Sequence, residues 1–175
     1  MSRLAALALV VLGASWLQAQ QRPRSAGEWA QADTSSNKPS VSRTGYESFP
    51  IGDMGSGWDA PLTIRQTQDS LFVDLEHFAE NDHQPRLHLS FALDGRVTRN
   101  RINIGNAEVV VPARAHWDGG KLAIVSTYPV PPEVGGGATE VRQVLTLDDQ
   151  GHLVLKTTRP DIHGPNVVRA LFTRR

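Results

Sequence analysis

The sequence predicts an all-β protein: an antiparallel up-and-down meander of eight or nine strands that closes into a barrel. Three observations predict it. From Trp58 onward apolar and polar residues alternate with period two, the pattern of a strand with one face buried. The alternating runs are short, and compact breaks such as Asp94-Gly95 and Asp118-Gly119-Gly120 separate them. Connections that short favour antiparallel neighbours over crossovers. The arms of four successive hairpins can also agree on which parity is apolar, as one shared inward face requires. A long meander must still hide its edges, and closure into a barrel does that more directly than a sandwich.

The chain of 175 residues suits one domain better than two. Its 18 basic and 18 acidic residues balance, so no global field draws it to nucleic acid or to an anionic membrane. It has no cysteine, which excludes disulfides, thiolate catalysis, cysteine-ligated zinc and a lipid anchor on cysteine.

Residues 1–19 read as a signal peptide. Arg3 supplies the positive start, and residues 4–17 form an apolar run broken only by Gly13 and Ser15. That run is shorter than the roughly 20 residues of a membrane span, so no stable membrane insertion is expected after cleavage. A bacterial periplasmic or secreted location follows. Residues 20–57 are rich in Ser, Gly, Pro, Gln and Asn and show neither helical nor strand periodicity. They read as a low-complexity mobile arm, with Trp29, Tyr46 and Phe49 as apolar exceptions.

The barrel domain is expected over residues 58–175. Strands are predicted at 62–67 and 71–78 about Gln68-Asp69, and at 86–93 and 96–104 about Asp94-Gly95. The next pair, at 109–117 and 121–128, turns at Asp118-Gly119-Gly120, where glycine tolerates the positive φ that matches strand twist. Strands at 139–147 and 153–159 flank a loop ending at Gly151, and 166–173 closes the chain. Facing pairs follow from these turns. Leu62 and Ile64 oppose Leu75 and Val73. Leu87, Leu89 and Phe91 oppose Ile102, Asn100 and Thr98. Val111 opposes Ser126, Ala113 opposes Ile124, and Gln143 and Leu145 oppose Thr157 and Leu155.

Several motifs together resemble a group of exported bacterial domains described as lipocalin-like, of calycin type. They are Gly55-Ser56-Gly57-Trp58, Leu62-Thr63-Ile64-Arg65-Gln66, Leu93-Asp94-Gly95, Trp117-Asp118-Gly119 with Lys121-Leu122, and Thr146-Leu147 through Gly151 to Leu153-Val154 and Thr157-Thr158-Arg159. The resemblance spans about residues 55–175 and rests on turn and core positions. It therefore implies a lipocalin-like barrel and brings no catalytic residue or ligand with it.

The predicted inward face carries neutral polar groups and no charge over most of its length. Gln66, Asn100, Ser126, Tyr128 and Gln143, with Thr98 and Thr157 beside them, are the candidate ligand-binding residues. Few polar anchors on an apolar wall suit a small, largely apolar molecule. The alternative is a filled barrel in which these groups bond one another. A second candidate lies outside, where Arg86, His88, Arg99, Arg101, Arg114 and His116 form a basic patch. It suits an envelope or extracellular interaction module that holds an anionic polymer or acidic partner, against the alternative of a solvated face. No aromatic platform interleaves it, so nucleic acid is not an expected partner.

No catalytic residue is expected. There is no nucleophile elbow, no Ser-His-acid set in phase and no inward pair of carboxylates. His77, His83 and His88 with Glu76, Glu80 and Asp82 match no zinc spacing, so no metal or other cofactor is expected either. Gly135-Gly136-Gly137 lacks the strand-to-helix context and the following Lys of a phosphate cradle. The sequence reads as a non-enzymatic binding protein.

Overall fold

The computed structural model describes residues 23–32, 58, 61–76, 86–104, 107–130, 132, 135–160 and 164–175. The expected antiparallel meander is present. Among the described residues ten strands run β1 (Gly27–Gln31), β2 (Leu62–Gln66), β3 (Ser70–Glu76), β4 (Arg86–Ala92), β5 (Asp94–Ile104), β6 (Ala107–Asp118), β7 (Lys121–Pro129), β8 (Ala138–Leu147), β9 (Leu153–Arg159) and β10 (Asn166–Arg174). They form one sheet in the order β4-β3-β2-β1-β10-β9-β8-β7-β6-β5, with each adjacent pair antiparallel. The sheet curls until its end strands β4 and β5, consecutive in the chain, meet across a seam without a backbone ladder. The result is a nearly closed barrel.

The tenth strand is β1, which lies inside the stretch that reads as an arm. It pairs with β2 on one side and β10 on the other, so it joins the first part of the meander to the last. Its anchor is Trp29, wholly buried in the main core, with the Arg174 guanidinium 5.0 Å from the ring centre. Such a stack adds cation–π attraction to the burial of a large ring. Only five residues long, with one inward aromatic, β1 is too brief to show as alternation.

The predicted parity holds along the meander. Val73, Val111, Ile124 and Leu145 are buried, and Leu89 packs half-buried against the core. The pairs across Gln68-Asp69 stand as expected, as do those joining Gln143 to Thr157 and Leu145 to Leu155. Two registers differ. Across β6 and β7, Ala113 pairs with Ser126 and Ala115 with Ile124, an offset of two residues from the expected pairing. The cause is a two-residue turn, with Asp118 opposite Lys121 and Gly119 at φ +60°. A shift of two leaves each side chain on the same face.

The expected pairing of Leu87, Leu89 and Phe91 with Ile102, Asn100 and Thr98 is absent, because β4 and β5 are the open ends of the sheet. A register irregularity between Asp94 and Val97, next to Gly95 at φ +84°, bends β5 toward β6. A bulge of this kind ends pairing with one neighbour and steers the strand to the other.

Candidate functional site

The barrel has two unlike ends. At one end lie the short turns joining β2 to β3, β4 to β5, β6 to β7 and β8 to β9. The other end carries the remaining connections. The turn end is filled. Trp29, Leu71, Phe91, Leu93, Leu122 and Leu153 belong to one continuous apolar cluster there, with Trp117 packed against it. Toward the other end a smaller cluster joins Ile102, Val111, Tyr128 and Val141. Leu87 and Leu89 on β4 touch both clusters.

Between the two apolar tiers runs a polar belt on β5, β7, β8 and β9. Asn100, Ser126, Gln143 and Thr157 are each buried, Asn100 to 4% and Thr157 to 2% exposure. The ladders fix their proximity. Gln143 faces Thr157 directly, and Ser126 faces Val141, one inward position along β8 from Gln143. Thr98 and Ser126 both pair with Ala113, one on each side of it. Tyr128 lies at the upper edge of the belt. Burial there pushes its phenol up to about 12, so it stays a neutral group over the whole physiological range. Among the described residues, every buried polar group of the interior is uncharged. The wall is thus apolar, polar and apolar again along the barrel axis.

No family model matches the chain, and no curated protein matches it. Among solved structures, one similar to it is the zebrafish ileal bile acid-binding protein in complex with cholic acid. The TM-score is 0.55 at 17% sequence identity, over 86% of this chain and 98% of that one. Similarity at that identity is similarity of fold. The chain is a calycin-like barrel.

In this calycin-like barrel four of the five candidate binding residues, Asn100, Ser126, Tyr128 and Gln143, come together on β5, β7 and β8, with Thr157 completing the belt on β9. Gln66 stands apart, at the turn end of β2. Its Oε1 accepts hydrogen bonds from the Ser25 amide (3.0 Å) and hydroxyl (2.9 Å), and its Nε2 donates to the Pro23 carbonyl (3.3 Å). Gln66 therefore ties down the segment leading into β1. Its contacts run to residues 23 and 25, more than forty positions away in sequence, and no local pattern announces such a partner.

The outer cations separate into pairs with near neighbours. His88 Nδ1 lies 2.6 Å from Asp74, which also accepts from Arg65 at 3.1 Å. The His88 hydrogen bond, then the Arg65 charge, hold the Asp74 carboxyl below its ordinary value despite some burial. Arg101 donates to Glu108 at 2.7 Å and Arg114 to the Gly95 carbonyl at 3.1 Å. Arg99 and His116 are exposed on the same outer face, beside Val97 and Val110. The Arg86 side chain and residues 77–85, with His77, His83, Glu80 and Asp82, lie outside the described residues. No group of three metal-ligating side chains occurs among the described residues.

Two features gave no sign in the sequence. One is the Asn100 bridge to β4, where Oδ1 accepts from the Ser90 amide at 2.8 Å. The other is Trp117 Nε1, a buried donor without a partner among the described residues.

Proposed function

We propose that this calycin-like barrel is an exported, non-enzymatic binding protein that holds a small, largely apolar molecule in its interior. The observation that carries the proposal is the uncharged polar belt set between two apolar tiers. A molecule lying along that wall buries its hydrocarbon against Ile102, Val111, Val141 and the main cluster, and its few polar groups meet Asn100, Ser126, Tyr128, Gln143 and Thr157. An enclosed apolar site with sparse, fixed polar anchors is the usual design for such ligands. An ionised group carried into that interior would be stripped of water with no counter-charge among the described buried residues, which is costly. The fold shared with a bile acid-binding protein supports the same reading. Export rests on the apolar run of residues 4–17 behind Arg3.

Native mass spectrometry of the protein purified from its own host tests the proposal. The expected result is a retained mass of a few hundred daltons, displaced by organic solvent. A protein that carries no small molecule, and that binds no apolar fluorescent probe saturably, would remove the reading. Edman sequencing of the same preparation tests export, with a mature chain starting at Gln20 as the expected result.

A further inference from the structure

We infer that the seam between β4 and β5 is a lateral entrance to the barrel interior, with the Asn100 side chain as its latch. This rests on the binding reading above and adds the route by which the ligand arrives.

Every other neighbouring pair of strands is joined by a backbone ladder, and these two are not. What spans the seam is a side chain. Asn100 Oδ1 accepts from the Ser90 backbone amide at 2.8 Å, with the Ser90 hydroxyl at 3.4 Å. At the turn end the chain itself joins the two strands through Leu93. That turn is tied to its neighbours, Leu93 donating to the Asp69 carbonyl of the β2–β3 turn at 2.8 Å and Arg114 of β6 to the Gly95 carbonyl at 3.1 Å. The bulge above Asp94 then turns β5 toward β6. Opening any laddered seam breaks a series of backbone hydrogen bonds, each leaving two groups unpaired. Among the described residues, opening this one releases one backbone donor, Ser90 N–H, from a side chain that can rotate away about its own χ angles.

The seam also leads to the right place. Asn100 is itself a member of the polar belt. Leu87 and Leu89, on the β4 side, touch both apolar clusters, so displacing β4 exposes the boundary between the two tiers. Thr98, half-buried, lies on the β5 side one inward position below Asn100. A ligand passing here enters between the tiers that are proposed to hold it. The Oδ1 bond to Ser90 leaves the Nδ2 donors outside the bridge, so the latch can meet a ligand acceptor as it releases.

The test uses a disulfide across the seam in the full chain. The chain has no cysteine, so the double variant Ser90→Cys, Asn100→Cys contains one pair and no competing thiol. Stopped-flow fluorescence with the uncharged apolar probe N-phenyl-1-naphthylamine gives association and dissociation rates. On oxidation both rates are expected to fall by about tenfold or more, with the dissociation constant nearly unchanged, and reductant should restore them. The single variant Asn100→Ala should raise both rates. In hydrogen exchange it should speed the Ser90 amide while leaving β7 and β8 amides protected. Unchanged association and dissociation rates in an oxidised protein that still binds the probe would overturn the entrance and leave the binding reading intact. A reduced protein that binds no probe would overturn both. A Ser90 amide no faster in Asn100→Ala than in the natural chain would overturn the latch.

Discussion

At the scale of single residues, the belt gives the proposed binding site polar anchors without charge. Thr157 is one. Its hydroxyl is buried on β9 directly opposite Gln143. Valine has nearly the same shape and no hydroxyl, so Thr157→Val leaves the wall filled and removes one polar anchor. A ligand that uses this hydroxyl should bind the variant about fivefold to tenfold more weakly, the worth of one neutral hydrogen bond near 1 kcal/mol. Probe titration checks this, and a purely apolar probe should not notice the change. Tyr128 makes a separate prediction about pH. Burial raises its folded pKa to about 12 from an ordinary 10.0. The folded chain therefore holds the phenolic proton more tightly than the unfolded chain. The stability this contributes is fully present below about pH 10 and is lost as pH rises toward about 12. A difference of that size between folded and unfolded chain corresponds to roughly 2–3 kcal/mol. Urea unfolding from about pH 9 to beyond about pH 12 should show that loss, and Tyr128→Phe should show a flatter profile. A Phe variant that loses stability over this window as steeply as the natural chain would place the cause elsewhere.

At the scale of elements, each hairpin is organised by its turn, and the turns differ in how they are held. Between β8 and β9, Asp148 Oδ1 accepts from the Gln150 amide (3.0 Å) and the His152 amide (2.8 Å). These bonds fix the turn that joins the two strands. Asp148→Ala should lower the midpoints of thermal and urea unfolding, because two charge-assisted bonds are lost and only partly replaced by water. It should leave probe affinity unchanged, since the turn lies at the filled end. The hairpins were also what the sequence disclosed best. Period-two alternation places Ile124, Val111 and Leu145 inward whatever the exact register, because errors of two residues preserve the face. That is how the β6–β7 pairing could be misplaced by a full repeat while Ser126 still reached the belt. The belt residues were legible for the same reason, as polar positions in apolar phase. β1 was not legible, because GEWAQ has too few positions to establish a period and is followed by a long connection before its partner β2. The open seam was hidden too. Asp94-Gly95 looks like any hairpin turn, and only the bulge that follows it sends β5 away from β4.

At the scale of the whole molecule, the barrel is closed by its first and last strands. β1 comes before the long connection to β2, and β10 is the final strand of the meander. The pairing of these two completes the wall. This makes closure the least local event in the fold: Trp29 pairs across to Arg174, and Gln31 to Phe172. Contacts so distant in sequence form late and repay a large loop-closure cost only when the core on both sides is ready. It also concentrates a large share of stability in five residues. Removing a buried tryptophan alone costs about 3–5 kcal/mol, against a total of about 5–15 for an ordinary domain. A chain starting at residue 33 loses Trp29, the Ser25–Gln66 tie and both ladders of β1 together. It should unfold at least about 15 °C lower than the chain starting at residue 20, or fail to fold, and it should self-associate through the bared edges of β2 and β10. A synthetic peptide of residues 23–32 should bind the shortened chain and restore both the melting temperature and probe binding, whereas the same peptide with Trp29→Ala should not. If the shortened chain melts like the longer one, the barrel does not depend on β1 for closure. The wall would then have to be held by β2 and β10 without it.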